Sequence, residues 1–507
     1  VGRSARRGPD ALAVRRLMAG LTTPAPTAGA EAPRRAATVV ALTVIAGTVM
    51  IPLDVTVVAV ALARLSQETG APLPVIQWVT TGYTLALAAV IPSAAWAIGR
   101  YGARAVFLTA VGLFTFASVL VAFSWDAGSM IAFRVLQGMG GGFVMPAAMT
   151  LALRTAAPDD RGRVMSLLGL PILVGPVFGP PLGGWLMDAL SWRWIFLVNL
   201  PIGLLALALA ARNLPRTAVD TTAGLDRRGL LLLPPAMVLL VLGTSLAEGD
   251  PLRPPVLAAL LAGLLLLALF AAHALRVPHP LLRVRLLGQR LTGGGALVLL
   301  LFAGGYFSTL LLVPLYYQVA RGESATAAGL LMMPQAVVAG ITIQVSGRLV
   351  DRLPPLRVIG TGIALAVAGY VAFAVQLSAG ASYWQLVPAL MLGAGGAGAS
   401  MLPTITTATR HLADPDIPSG STMINVLNQL ATSVTTAAVA VVLAGALASR
   451  LPGLATEGEL GALQTLPAAE RLAAAPAVAD AIQVAFLLPI GMMVTSFVVA
   501  VVFLRRR

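Results

Sequence analysis

Runs of about 20 apolar residues recur along nearly the whole chain, each long enough to cross a ~30 Å hydrocarbon core. A water-soluble fold of 507 residues could not cover its surface when 58% are hydrophobic and only 11% are charged. The sequence therefore specifies an all-α integral membrane protein. Spans are expected near 37–63, 75–97, 105–124, 129–151, 164–188, 194–211, 230–247, 255–272, 291–317, 325–347, 358–377, 385–408, 421–447 and 482–504.

The basic residues orient these fourteen spans. All 34 are arginine. With the N-terminus inside, 27 fall in cytoplasmic segments, six outside and one, Arg134, within a span. That asymmetry puts both termini in the cytoplasm. Residues 1–36, rich in Arg, Pro, Ala and Thr, read as a disordered cytoplasmic tail. A six-helix bundle is expected over 37–211, two further spans with cytoplasmic loops over 212–290, and a second six-helix bundle over 291–504. Within the last, 448–481 reads as an external loop that can carry a short interfacial helix, and 505–507 as the cytoplasmic end.

Several chemistries are excluded. Without cysteine there are no thiolate metal sites, disulfides or thiol nucleophiles. Without lysine there is neither a Walker A nucleotide loop nor a Schiff base. His273, His279 and His411 fall in loops and do not cluster into a ligand set, so no metal is expected, and no cofactor. The net charge of +14 follows from orientation in the bilayer and does not call for nucleic acid. "GAGGAG" (393–398) fits the dinucleotide fingerprint G-x-G-x-x-G, but it lies inside a span with no strand before it, and reads as helix packing.

An internal repeat emerges when "GRLVDRLPPLR" (347–357) is set against "AIGRYGARA" (97–105), each following a span. Arg352 and Arg100 then lie 252 residues apart, the length of six spans plus two inserted ones. Transporters built from repeats place their substrate at the repeat interface. A second feature is "GPVFGPPLGG" (175–184), a cluster of poor helix formers inside a span. Gly175, Gly179 and Gly183 make one smooth stripe, Gly184 widens it, and Pro176 and Pro180 loosen the helix on an adjacent stripe.

These segments resemble a known family. "GLPILVGPVFGPPLGGWLMDALSWRWIFLVNLPIG" (169–203) is similar to the fifth and sixth spans of the fourteen-spanner drug:proton antiporters (EmrB/QacA type) of the major facilitator superfamily. "PLDVTVVAVAL" (52–62), "IQWVTTGYTLALA" (76–88), "RVLQGMGGG" (134–142), "LYYQ" (315–318), "SATAAGLLMMP" (324–334) and "GRLVDR" (347–352) match in order. The resemblance implies the major facilitator fold, with two six-helix bundles and two central extra helices. It implies a non-enzymatic, proton-coupled exporter of hydrophobic small molecules in the bacterial cytoplasmic membrane, its partners being substrate, protons and the bilayer. A lipid or glycolipid transporter and a metabolite symporter are rivals on the same fold. The family's cytoplasmic gate maps onto Arg100, Gly102 and Arg104 in the first half, where Ala95 and Gly99 replace the usual Gly and Asp. In the second half it maps onto Gly347, Asp351 and Arg352.

Asp54 is the one carboxylate placed deep in a span, and a buried charge in lipid marks a functional site by default. Arg134, about five residues inside the same face and about 7 Å shallower at 1.5 Å per residue, is its expected partner. Its long guanidinium spans most of the gap, and the pair is the expected proton-coupling site. A single deep acid suits neutral or monocationic amphipathic substrates. Polar groups expected around the substrate are Tyr83, Gln137, Tyr316, Gln318, Asn425 and Gln429.

Overall fold

The computed structural model describes residues 28–217, 219, 224–246, 253–378, 380–450 and 468–504. Among these residues every regular element is helical. Helices α1 (Ala28–Thr48) and α2 (Met50–Thr69) form one interrupted rod. The interruption has a local cause, since Pro52 has no N–H to offer the Thr48 carbonyl one turn back. Helix α3 (Leu73–Val90) meets α4 (Ala94–Tyr101) through a 3₁₀ turn at Ile91–Ser93 that contains Pro92. Helices α5 (Ala103–Ala122) and α6 (Ala127–Thr155) follow. A capping box starts α6: the Asp126 carboxylate accepts from the Ser129 N–H at 2.7 Å, and Ser129 Oγ accepts from the Asp126 N–H at 3.1 Å. Hydrogen bonds from the Ser129 N–H and, to a lesser degree, its hydroxyl hold the Asp126 carboxyl below its usual range.

Helices α7 (Arg161–Leu168) and α8 (Leu170–Ala189) are separated by Gly169 alone, with Pro171 in the first turn of α8. The α8 backbone stays helical through 175–184. Short α9 (Trp194–Leu197) and α10 (Asn199–Asn213) close the first half. Next comes a packed pair, α11 (Arg227–Leu246) and α12 (Pro254–Arg276). The second half comprises α13 (Arg290–Leu315), a π turn at Tyr316–Ala320, α14 (Ala325–Leu349), α15 (Pro355–Val375), α16 (Tyr383–Thr409), α17 (Ile417–Arg450) and α18 (Ala468–Leu504).

Among the described residues, thirteen helical stretches are long and apolar enough to span a membrane. They fall where thirteen of the expected spans were read. The remaining one, 164–188, corresponds to α7 and α8, outside those thirteen. Of the tail, 1–27 lie outside the described residues, while 28–36 are the first turns of α1. Of 448–481, residues 451–467 lie outside the described residues, while 468–481 extend the last span as part of α18. Residues 505–507 also lie outside them.

Glycine sets how closely helices approach. In "GAGGAG", a Cβ added to Gly396 would lie 2.2 Å from the Ala366 nitrogen, and one on Gly369 would lie 2.1 Å from the Gly393 nitrogen, so α15 and α16 touch backbone to backbone. The inserted pair lies against α3 and α17, one helix from each half. Asp226 ties this pair together. It accepts from the Gly229 and Leu281 N–H groups at 2.9 and 3.0 Å and meets His273 Nε2 at 2.9 Å. Burial raises its carboxyl, but these hydrogen bonds outweigh burial and hold it below its usual range.

Candidate functional site

The first half encloses a charged network. Asp54 on α2 and Arg134 on α6 are buried and joined at 2.6 Å. Arg134 also donates to Gln137 Oε1 at 2.6 Å and to the Val79 carbonyl at 3.1 Å. The second carboxylate oxygen of Asp54 accepts from Gln137 Nε2 and from Asn199 Nδ2, each at 3.0 Å. Ser118 Oγ accepts from Gln137 Nε2 at 2.7 Å and returns its proton to the Phe114 carbonyl at 2.9 Å. The Tyr83 ring lies under the Arg134 guanidinium at 4.3 Å, a cation–π contact strengthened because both groups are buried. Three donors converge on the Asp54 carboxylate: Arg134, Gln137 and Asn199.

Helix spacing produces the cluster. Arg134 and Gln137 stand three apart on α6 and share one face. Asn199 opens α10 within "VNLPIG", and Ser118 lies near the end of α5. Neither Asn199 nor Ser118 was expected from the sequence. Both are uncharged residues of a kind that ordinarily serves helix packing, and nothing in their spacing points to Asp54.

The glycine stripe packs on the helix that carries this carboxylate. A Cβ on Gly175 would sit 2.5 Å from the Pro52 carbonyl oxygen, and one on Gly179 would sit 2.0 Å from Thr56 Oγ1. Thr56 Oγ1 lies 3.0 Å from the Gly175 carbonyl. Helix α8 therefore grips α2 two residues before and two residues after Asp54. Gly183 meets Val57 more loosely, with 3.2 Å to the nearest atom, and a Cβ on Gly184 would meet nothing within 4 Å. The side chains of Pro176 and Pro180 lie outside the described residues.

The two halves meet in a small cleft of about 90 Å³. Met145 and Met149 on α6, Met165 on α7 and Met401 on α16 line it, with Tyr306, Asn425 and Asn428. Asn425 donates to the Ser421 carbonyl at 2.8 Å, and Asn428 Oδ1 is buried with no hydrogen-bond partner among the described residues. Of the cavity residues expected from sequence, Asn425 lines this cleft. Tyr83 and Gln137 belong to the Asp54 network. Tyr316 is buried inside the second half, its hydroxyl donating to the Ser378 carbonyl at 2.7 Å and its ring edge-on to Phe373. Gln318 is half-buried in the π turn, and Gln429 is half-buried on α17 outside the cleft lining, where Asn428 stands instead. The methionines carried no sequence signal, because an apolar residue in a span can face lipid, core or cleft alike.

The arginine-rich end of the cleft is shut. Asp351, just past α14, accepts from the Gly162 and Arg163 N–H groups at the start of α7, both at 3.0 Å. A Cβ on Gly347 would lie 2.3 Å from Ser166 Cβ, so α14 and α7 are in close contact. Burial raises the Asp351 carboxyl above its usual range, although the Arg163 and Gly162 N–H groups and the Arg410 charge oppose the rise. Arg161 donates to the Thr409 and Arg410 carbonyls, and Arg410 pairs with Asp159 at 3.2 Å. Arg352 is exposed. In the first half, Gly102 has φ +84°, and a Cβ there would lie 2.8 Å from Thr217 Oγ1, which accepts from the Ala103 N–H at 2.8 Å. Arg104 donates to the Ala211 carbonyl, and Arg100 is half-buried. These contacts of Gly102, Ala103 and Arg104 go to α10 and to the connector that follows it, whereas those of Gly347 and Asp351 cross to the other half.

Helical halves meeting at a central cleft, an inserted pair and a buried acid–base network define a multi-pass membrane transporter. The chain belongs to the Major Facilitator Superfamily, whose family description matches residues 44–436. It is 40% identical over 400 residues to the "Multidrug resistance protein B homolog" of Mycobacterium tuberculosis, covering 78% of this chain and 74% of that protein. It is 32% identical over 391 residues to the "Putative multidrug resistance protein MdtD" of Cronobacter sakazakii, covering 76% and 82% respectively. The crystal structure of the human organic anion transporter MFSD10 shares the fold, with TM-score 0.56, 18% identity and 91% and 99% coverage. The chain is thus a bacterial membrane transporter.

Proposed function

We propose that this chain is a proton-coupled antiporter that exports hydrophobic, neutral or monocationic small molecules, drugs among them, from the bacterial cytoplasm. In this reading it has fourteen spans, α7 and α8 supplying the fifth, and both termini are cytoplasmic. The observation that carries the proposal is the buried Asp54 carboxylate, held by Arg134, Gln137 and Asn199. A charge in a membrane interior is costly and marks a functional site by default. The names of the two bacterial relatives point to drugs as cargo. The methionine lining suits varied apolar shapes, since thioether chains repack readily.

Asp54 does not line the cleft, so proton and substrate need not meet at one carboxylate. Coupling runs instead through shared helices. Helix α6 carries Arg134 and Gln137 toward one end and Met145 and Met149 about two to four turns on. Helices α7 and α8 carry Met165 and Leu168 at the cleft and Gly175 and Gly179 against α2. Protonating Asp54 removes the charge that holds Arg134, and α2, α6 and α8 are then free to shift together. By linkage, substrate that favours the shifted state must also favour proton exchange.

The test uses inside-out vesicles with an acid lumen and a pH-reporting dye. A hydrophobic monocation such as ethidium should release luminal protons through the wild type and not through Asp54→Asn. Equal release through both, or drug uptake with no proton movement in either, would refute the proposal.

A further inference from the structure

A second candidate binding region lies where the inserted pair meets the second half. At the arginine-rich end is a basin of about 770 Å³ lined by Arg154, Arg216, Arg283, Asp226 and Asp414, with His279 beside them. Of the two acids, Asp226 is held by Gly229, Leu281 and His273, while the Asp414 carboxylate lies near enough to Arg154 and Arg161 to offset part of their charge. Arg283 pairs with Asp416. Among the described residues Arg154 donates a long 3.3 Å bond to the Asp414 carbonyl, and its Nε is buried without a partner. Arg216 is exposed and makes no ion pair among the described residues. The basin therefore offers guanidinium donors that protein groups do not fill.

Next to it is an apolar crevice of about 420 Å³ between α12, α13 and α17. Its lining includes Leu264, Phe270, Met423, Leu427 and Leu430, and Thr435 is its one polar residue. From Met423 to Thr435 it follows α17 for about 18 Å at 1.5 Å per residue, close to the length of an extended fatty-acyl chain. Basin and crevice share one lip. In the segment after α12, Leu281 and Arg283 line the basin, while Leu282 and Val284 line the crevice. On α17, Pro418 and Ser419 belong to the basin, and Met423 and Leu427 follow one and two turns on in the crevice. Leu264 lines the crevice yet is 44% exposed on the outward, leucine-rich face of α12, so the crevice is continuous with the surface that lipid covers.

We propose that this composite site binds one anionic phospholipid of the leaflet at the arginine-rich face, its phosphate on Arg154 and Arg216 and one acyl chain along α17. The match is in charge and in length: a cationic basin at headgroup level opens onto a dry slot of acyl length. A lipid held here bridges α6 of the first half, the connectors of the inserted pair and α17 of the second. Those elements must change their spacing when the arginine-rich end opens, so the lipid biases that step.

Native mass spectrometry of the full chain, released from detergent with added phosphatidylglycerol, phosphatidylcholine or glycerol 3-phosphate, tests the proposal. Phosphatidylglycerol should be retained more tightly than phosphatidylcholine, and Arg216→Gln should weaken its binding alone, by about fivefold. Leu264→Trp, placed at the lipid-facing mouth where a large apolar side chain is tolerated, should block the crevice and reduce retention. An unchanged thermal midpoint would show that both variants are folded. Equal retention of the two lipids, or no change in either folded variant, would overturn the proposal. So would competition by glycerol 3-phosphate at the same concentration as the lipid, which would mark a phosphate basin without a chain slot.

Discussion

Replacing Gly179 with alanine tests the contact between α8 and the turn that carries Asp54. The new Cβ would sit 2.0 Å from Thr56 Oγ1 and 2.7 Å from Thr56 Cβ. Rotating Thr56 can remove the first clash but not the second, because Cβ does not move with χ1. Carbon atoms pack best near 3.5–4.0 Å, so α8 must retreat by about 0.8 Å or more. That retreat breaks the 3.0 Å contact between Thr56 Oγ1 and the Gly175 carbonyl and opens the interface on both sides of Asp54. Overpacking of this kind costs about 1–3 kcal/mol. Unfolding titrated with sodium dodecyl sulfate in mixed micelles should register a loss of that size, and drug-driven proton release in vesicles should fall with it. The companion variant is Gly179→Ala with Thr56→Gly. With both Thr56 side-chain atoms gone, the nearest remaining neighbour is the Thr56 carbonyl carbon at 3.4 Å. Glycine inside a helix costs about 1 kcal/mol, so recovery of stability is partial, but proton release should return. If Gly179→Ala matches the wild type in both assays, or if Thr56→Gly restores nothing, the close-contact reasoning fails.

Two further predictions concern charge. Asp54→Leu or Arg134→Met alone should each lower unfolding free energy by about 3–5 kcal/mol, because each strands a buried partner. The double variant should lose less than the two single losses combined, as a double-mutant cycle would measure. The Asp351 carboxyl is raised by burial at the shut end, with Asp160 adding to the rise and Arg410 opposing it. Its contribution to the closed contact is therefore complete below about pH 3.9 and is lost as pH climbs through the raised value. Nitroxide pairs at Arg163→Cys and Arg348→Cys, in a chain that otherwise has no cysteine, should report wider separations as pH rises, and Asp351→Asn should flatten the response. Separations that widen as pH falls would reverse the assigned sign.

The fold was legible because lipid permits so few solutions. An apolar run of span length has to be a helix, and thirteen of the expected runs reappear as such helices. The pairing of Asp54 with Arg134 was legible for the same reason, since two charges in one apolar bundle are far less costly together than apart. What surrounds them was not. Asn199 and Ser118 are small or neutral, and each could have faced any neighbour at little cost. Tyr316 shows the converse: its polar tip suggested a cavity, yet the Ser378 carbonyl inside the same half satisfies it. Which face of a helix looks into a cleft depends on its rotation against its neighbours. In this chain that rotation is set by backbone contacts at glycine, such as Gly175 on Pro52, whose partners no spacing rule names.

The network around Asp54 is sealed within the first half, whereas Tyr306, Met401, Asn425 and Asn428 in the cleft come from the second. Under the proposed reading, the part of the molecule that chooses cargo is separate from the part that spends the proton gradient. Substitutions among the cleft residues can widen or redirect the range of exported compounds while the energy-coupling residues keep every contact. Such a transporter can acquire resistance to a new drug in single steps, each of which leaves the driving force intact.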